Sequence, residues 1–348
     1  MIDEINAASE IAELRSALAR AQRAARSSQS ELIDLRKLRD ADAQMLASIA
    51  AIHPQDTKVP KWMAAKPSRK IHHATPVLML SDLHLDEVVS LRDMHGMNEY
   101  NRAVAEARLS RVIDFTVEFC KRYSTGLTYD GVVVAMLGDI ITGAIHAELA
   151  ATNEAAVPAT VVHWVPKIAS GLTYLADNLQ HVHVPCIDGN HDRITDKTRM
   201  KARAENSYAW IIYNWLADSL RHDDRITFSI SPSSDQILDV YDTKFLLQHG
   251  DGFRGGGGVG GIYPPLLKYL YRQQGMWSAV DQHWDYALMG HWHSLMWGQN
   301  FVINGSLKGY DEYARRNGFG FEQPRQALFL VTPERGMTIQ TAVYAEAA

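Results

Sequence analysis

Seven side chains of metal-ligating type stand in short polar runs, each placed directly after an apolar stretch. They are Asp82 and His84 in Ser81-Asp82-Leu83-His84, Asp139 in Gly138-Asp139, and Asn190 in Gly189-Asn190-His191-Asp192. His249 opens His249-Gly250-Asp251, and His291 and His293 close the set in Gly290-His291-Trp292-His293. Two carboxylates, one amide and four imidazoles mix hard oxygen with borderline nitrogen. That mixture suits Mn, Fe or Zn, with Mg and Ni less favoured. Seven ligands are too many for one ion and sufficient for two when one carboxylate bridges. His291 and His293 are two apart, so an extended backbone would aim both imidazoles to one side. One such histidine alone is ordinarily a core or surface residue. Five such segments, each at a strand end, point together to a metal centre.

The elements that must position these residues read as alternating strands and helices. Apolar strands are expected at 77–80, 132–137 and 182–187, with amphipathic helices at 98–123, 158–179 and 199–221. Shorter strands come next at 226–230, 237–241, 244–248, 285–289, 301–304, 326–331 and 337–343. The pattern predicts an α/β fold, two packed sheets with helices outside. The polar runs fall just beyond the C-terminal ends of strands, where open α/β sheets bind ligands. The aromatic group Trp210, Tyr213 and Trp215 lies in a helical stretch and reads as core, and Trp292 reads as a wall of the site.

Three segments are expected: a helical one over 1–50, a basic Pro-containing linker over 51–75, and a compact domain over 76–348. In the first, Ile11, Leu14, Leu18, Ala21, Ala25, Ser28, Leu32, Leu35, Arg39, Asp42, Leu46 and Ile49 share one a/d heptad track. The track fails at Arg39 and Asp42, where the apolar positions shift to Leu38, Ala41 and Met45 as a stammer would shift them. Ser28 and Glu31 match a capping box, so the segment is one imperfect coiled-coil helix or a helical hairpin. Its expected role is homo-oligomerisation or docking of a partner. Residues 1–75 carry 12 Lys and Arg against 9 Asp and Glu, so the net charge of −5 divides into +3 there and −8 over the rest. Lys58, Lys61, Lys66, Arg69 and Lys70 form a basic arm suited to a polyanion, and Trp62 within it is a candidate anchor to the body. Cys120 and Cys186 stand far apart in apolar stretches, which argues against a disulfide framework and for a reducing, cytoplasmic compartment. Neither an export leader nor an apolar run near 18 residues is visible, so no membrane span is expected.

The ordered motifs SDLHL at 81–85, GD at 138–139, GNHD at 189–192, HG at 249–250 and GHWH at 290–293 resemble those of the calcineurin-like metallophosphoesterase family, as does VINGS at 302–306. The resemblance covers residues 76–345 and leaves out the N-terminal helix. It implies a β-sandwich flanked by helices. It also implies one divalent cation held by Asp82, His84 and His293, a second held by Asn190, His249 and His291, and Asp139 bridging them. Mn is the expected pair, with Fe, Zn, Ni or Mg as substitutes. Such a pair clamps a phosphoryl group and makes water nucleophilic at neutral pH. His191 takes the position of the family histidine that contacts phosphate or protonates the leaving oxygen, and Asp192 beside it is either a second catalytic candidate or a loop carboxylate bonded to backbone that holds the motif's turn. His146, Glu148, Arg193 and Arg254 are candidate substrate contacts. The glycines from Gly255 to Gly261 read as a mobile lid or tight turn without the ending of a nucleotide P-loop.

Departures narrow the class. Thr142 stands where many members have an aspartate that orients the catalytic histidine, and GNHD replaces GNHE. Both disfavour a protein phosphatase. The expected activity is phosphodiester hydrolysis in nucleic acid, resembling the DNA-repair exonuclease branch. The alternative is a small nucleotide or lipid-linked phosphoester, for which HGD at 249–251 speaks and GNHD, in place of GNRD, does not. A non-catalytic, metal-stabilised scaffold is the third reading.

Overall fold

The computed structural model describes residues 2–50, 60–64, 72–255 and 261–346. Lys58, Lys66, Arg69 and Lys70 of the basic arm, and glycines 256–258 and 260, lie outside the described residues. The segment expected to be a coiled-coil helix or a hairpin is one helix, α1 (Ile2–Ala50). Of the linker, Lys61–Ala64 is a 3-10 turn packed on the body. Met63 is buried between the sheets, and Trp62 stacks on His181 with ring centroids 6.1 Å apart.

The body begins with β1 (Thr75–Leu80), α2 (Arg102–Glu118), β2 (Val132–Leu137), the short α3 (Ala147–Thr152), α4 (Val157–Leu179) and β3 (Val182–Ile187). Then come α5 (Tyr208–Ser219), β4 (Ile226–Ile230), β5 (Asp235–Val240), β6 (Thr243–Gln248), α6 (Tyr263–Ser278) and β7 (Tyr286–Met289). The chain ends with β8 (Met296–Trp297), β9 (Phe301–Ile303), α7 (Glu312–Arg316), β10 (Arg325–Thr332) and β11 (Gly336–Tyr344). One sheet has the order β11-β10-β1-β2-β3-β4 and the other β5-β6-β7-β9-β8. Strands β1 to β4 run parallel, as do β6, β7 and β9, so their C-terminal ends gather on common edges.

Alternation along the strands makes four layers. Val77 and Met79 of β1, Val133 and Ala135 of β2, Phe245 and Leu247 of β6, and Leu288 of β7 meet between the sheets. Leu78, Leu80, Val134 and Met136 point the other way, under α2, α4 and α5. Leu246, Ala287 and Met289 face outward from the second sheet and are covered by Leu266 and Leu270 of α6. Strands with both faces buried need no polar alternation, which is why β1 from Pro76 and all of β2 read as unbroken apolar runs, and β3 as one interrupted only by His183. The fold is thus α/β, two sheets flanked by helices.

The expected helix at 199–221 starts only at Tyr208, where the Ser207 hydroxyl accepts from the Trp210 amide at 3.1 Å and caps it. Helix α6 was not expected from the sequence. Among the described residues no helix is long and apolar enough to cross a membrane. Cys120 and Cys186 are both buried and free.

Candidate metal centre

Each ligand candidate sits one to four residues past a strand: Asp82 and His84 after β1, Asp139 after β2, Asn190 after β3, His249 after β6, His291 and His293 after β7. The backbone there is not extended. Asp82, His84, Asp139, His291 and His293 all have positive φ, between 46° and 70°. Residues other than glycine avoid this region, and it is held against local preference chiefly at functional sites. The expectation that extended backbone aims His291 and His293 to one side is therefore corrected. With φ of 70° and 50° the two imidazoles part company. His293 joins Asp82 and His84, whereas His291 joins Asp139 and His249.

These are two groups of three side chains whose ligand atoms within each group lie inside 4.8 Å of one another. In the first, His84 Nε2 is 3.0 Å from His293 Nε2, and His293 Nε2 is 3.4 Å from Asp82 Oδ1. In the second, His249 Nε2 is 3.0 Å from Asp139 Oδ2 and 3.1 Å from Asn190 Oδ1. Asp139 Oδ2 is also 3.9 Å from His84 Nε2 and has no aligned hydrogen-bond donor. A buried carboxylate oxygen without an aligned donor, lying between imidazoles of both groups, is an acceptor placed to be shared by two cations. The residues fit two ions with Asp139 shared.

The electrostatics agree. Burial holds His84 well below the ordinary imidazole range, with Lys308 adding to it, and lowers His291 to about 4, helped by His249. Both are neutral, with lone pairs to give a cation. For Asp139 burial works to raise the carboxyl, but the neighbouring imidazoles, His249 foremost, hold it well below the usual carboxylate range. His249 goes the opposite way: burial opposes its charge, yet Asp139 raises it to about 10.

Tight packing brings the loops together. A Cβ on Gly189 would strike Asp139 Oδ1, and one on Gly290 would strike Asp82 Oδ2, so the glycines of GNHD and GHWH make room for ligand carboxylates. His249 Nδ1 donates to the Leu137 carbonyl at 2.8 Å, which leaves its Nε2 toward the site. His191 stands beside His84, ring centroids 4.7 Å apart. Its Nδ1 lies 3.0 Å from the Thr142 carbonyl. The backbone carbonyl of Thr142, not its side chain, thus holds the imidazole.

The other candidates scatter. Asp192 is wholly buried and faces the backbone rather than the cluster: its oxygens accept from the amides of Asp139 (2.7 Å), Gly189 (3.1 Å), Ile140 (3.1 Å) and Ile141 (3.3 Å). Its expected catalytic role is replaced by that of a clamp on the Asp139 loop. Burial, with Asp139 next to it, pushes its carboxyl up to about 7. Arg193 is committed to carbonyls of its own turn, donating to Asn190 at 2.8 Å and Thr195 at 3.0 Å, and so is not free to clamp a phosphate. His146 is exposed at the start of α3 with its ring 6.4 Å from that of His191. Glu148, in the first turn of α3, and Arg254 are exposed. Trp292 stacks on Phe253 at 5.0 Å and walls the site.

Residues that the sequence did not single out complete the surroundings. Glu87 accepts from the Thr142 hydroxyl at 3.0 Å and pairs with buried Lys308 at 2.9 Å, and Lys308 also pairs with Asp311 at 2.6 Å. Glu87 Oε2 lies 3.4 Å from His84 Nδ1. On the other side Ser81, hydrogen-bonded to Asp82 at 2.6 Å, accepts from Asn304 at 3.0 Å, which in turn donates to Gln326 at 2.8 Å. Arg203 spans Asp188 at 2.7 Å and Asp251 at 2.8 Å, fixing the residue next after His249-Gly250.

No family model matches the chain, and no curated protein matches it. Among solved structures, a conserved protein of Streptococcus pneumoniae described as a predicted phosphoesterase is similar at 11% identity and TM-score 0.29, over 77% of this chain and 97% of its own. A wild-type Vps29 of Entamoeba histolytica complexed with zinc is similar at 14% identity and TM-score 0.27, over 78% of this chain and 99% of its own. Likenesses this slight bear no weight.

Proposed function

We propose that this chain is a dinuclear metal-dependent phosphoesterase of the calcineurin-like kind that hydrolyses phosphodiester bonds, with nucleic acid as its substrate. The observation that carries the reading is Asp139: one buried carboxylate, its free oxygen between His84 of one ligand group and His249 of the other. Two divalent cations, Mn the favoured pair, would supply charge to a phosphoryl group and acidity to water when held by these residues. The chain's own residues do the rest. With Nδ1 anchored on the Thr142 carbonyl, His191 presents Nε2 to the cleft, placed to give a proton to the leaving oxygen. The exposed ring of His146 next to it widens the site toward a second ester arm. A nucleic-acid substrate is supported by the SDLHL and GNHD motifs and by the basic stretch that contains exposed Lys61. The unpaired Cys120 and Cys186 favour a reducing, cytoplasmic setting.

A second reading, a small phosphoester with an anionic end, is favoured by one feature. A recess beside Asn190 is lined by exposed Arg199 with Thr195 and Thr198, while Arg193 and Arg203 at its wall are held by the carbonyls and carboxylates already described. The test is direct. With Mn²⁺ supplied, bis-p-nitrophenyl phosphate is expected to turn over faster than the monoester, and labelled single- or double-stranded DNA to be degraded. Diester turnover with intact DNA selects the small-substrate reading. No turnover with any of several divalent metals rejects both.

A further inference from the structure

We infer that residues 11–35 of α1 pair in parallel, in register, with the same residues of a second copy of this chain. The inference is independent of the proposed function.

It starts from two destinations on one helix. Met45, in the shifted apolar register, is buried in the core cluster that α4 and α5 share, and Ala41 beside it is half-buried. The original register from Leu18 to Leu35 is exposed among the described residues. Leu18, Leu32 and Leu35 are 59%, 56% and 60% exposed, and Leu46, one residue from buried Met45, is 62% exposed. The stammer after Leu35 therefore has a physical meaning. It turns the apolar stripe from an exposed face, before Leu35, to one that packs on the chain's own body at Met45. In letters the outward stripe continues through Ala21, Ala25 and Ser28 to Leu14 and Ile11 at the a and d spacing of a two-stranded coiled coil.

The charges say what covers it. With Leu18 and Leu32 at a, Glu31 falls at g and Arg36 at e. In a parallel pair, g of one helix faces e five residues on in the other, so Glu31 meets the partner's Arg36. The sequence repeats this offset at Glu10 and Arg15, and the remaining g and e positions from Ala17 to Ala43 are uncharged. Every charged pair in the parallel arrangement is thus of opposite sign. An antiparallel pair sets e against e, bringing Arg15 toward the partner's Arg36. The face is complementary to itself in one orientation only. A second copy is the occupant that this pattern fits. Ser28 at d then meets the partner's Ser28, keeping the one polar layer with itself. The small Ala21, Ala25 and Ser28 layers bury little, so association in the micromolar range is expected.

The experiment uses the full chain. Sedimentation equilibrium up to about 100 µM is expected to give twice the 39.0 kDa chain mass at the high end. Leu32→Glu with Leu35→Glu is expected to weaken association at least 100-fold while the thermal midpoint of the body stays unchanged, because both side chains are exposed within the chain. Arg36→Glu should weaken the dimer several-fold, and Glu31→Arg added to it should restore the dimer. Since Cys120 and Cys186 are buried, Leu32→Cys supplies the accessible thiol, and it is expected to cross-link two copies under mild oxidation. A monomer mass throughout, or a dimer indifferent to the two glutamates, overturns the inference. A dimeric Leu32→Cys chain that does not cross-link overturns the parallel arrangement.

Discussion

The two ligand groups are alike in composition and differ in what holds them. Asp82, His84 and His293 are backed mainly by side chains: Ser81, Asn304 and Gln326 behind Asp82, and Glu87 with Lys308 and Asp311 behind His84. Asp139, His249 and His291 are backed mainly by main chain. His249 leans on the Leu137 carbonyl, Asp139 accepts from the His191 amide at 2.7 Å, and the Asp139 loop is tied down through three amides on Asp192, which also holds the Gly189 amide of its own loop. A ligand fixed by a carbonyl keeps its geometry under most substitutions nearby. A ligand fixed by a chain of side chains can be loosened one link at a time, as outer partners of metal ligands usually can. The first group is therefore the tunable half of the site and the second its fixed half.

The harshest way to break this contrast is to remove what the halves share. Asp139→Asn is expected to lower activity by roughly 10³-fold, about 4 kcal/mol of barrier. It should also cut the retained metal below two ions per chain, read by elemental analysis alongside diester turnover. A variant that keeps both ions would mean Asp139 is not common to the two groups. Next comes His191, which touches both halves without belonging to either. His191→Ala should cost roughly 10²-fold in kcat, the usual scale for a positioned acid, with metal content unchanged. Lost metal instead would make His191 a ligand rather than a proton donor.

Much of this was legible in the letters, for a reason that also sets the limit. Strands buried on both faces are continuous apolar runs, so each polar residue that ends one stands out. In this way Asp82, Asp139, Asn190 and His249 were found together with the strand order's α/β character. The path of the loop beyond each strand was not legible. Left-handed backbone at His291 and His293 depends on the loops that Gly290 and Asp82 pack together, and no local signal distinguishes it from extended chain. Glu87 and Lys308 lie 221 residues apart, and only the fold pairs them. For Asp192 the letters left two roles open, catalytic group or backbone-bonded loop carboxylate, and burial turned it to the backbone. Helix α6 was hidden by Pro264 and Pro265 after a glycine-rich loop, although proline is at home in the first turn of a helix.

The smaller predictions probe the side-chain half alone. Glu87→Gln keeps the shape but removes the charge facing His84 and Lys308. Metal affinity of the Asp82, His84 and His293 group should fall roughly 10-fold, so a metal titration followed by calorimetry turns from one step into two. The second group should bind as before, since nothing in it touches Glu87. Equal weakening of both ions would erase the distinction between the halves. Thr142→Val is gentler still. It deletes the hydroxyl that donates to Glu87 but keeps the carbonyl that anchors His191. If the carbonyl alone orients the imidazole, kcat should fall only about threefold, under 1 kcal/mol, and metal binding should stay unchanged. A loss as large as that of His191→Ala would show the opposite dependence: the Glu87 network would then steady the carbonyl through the Thr142 side chain, and the proton donor would belong to the tunable half of the site.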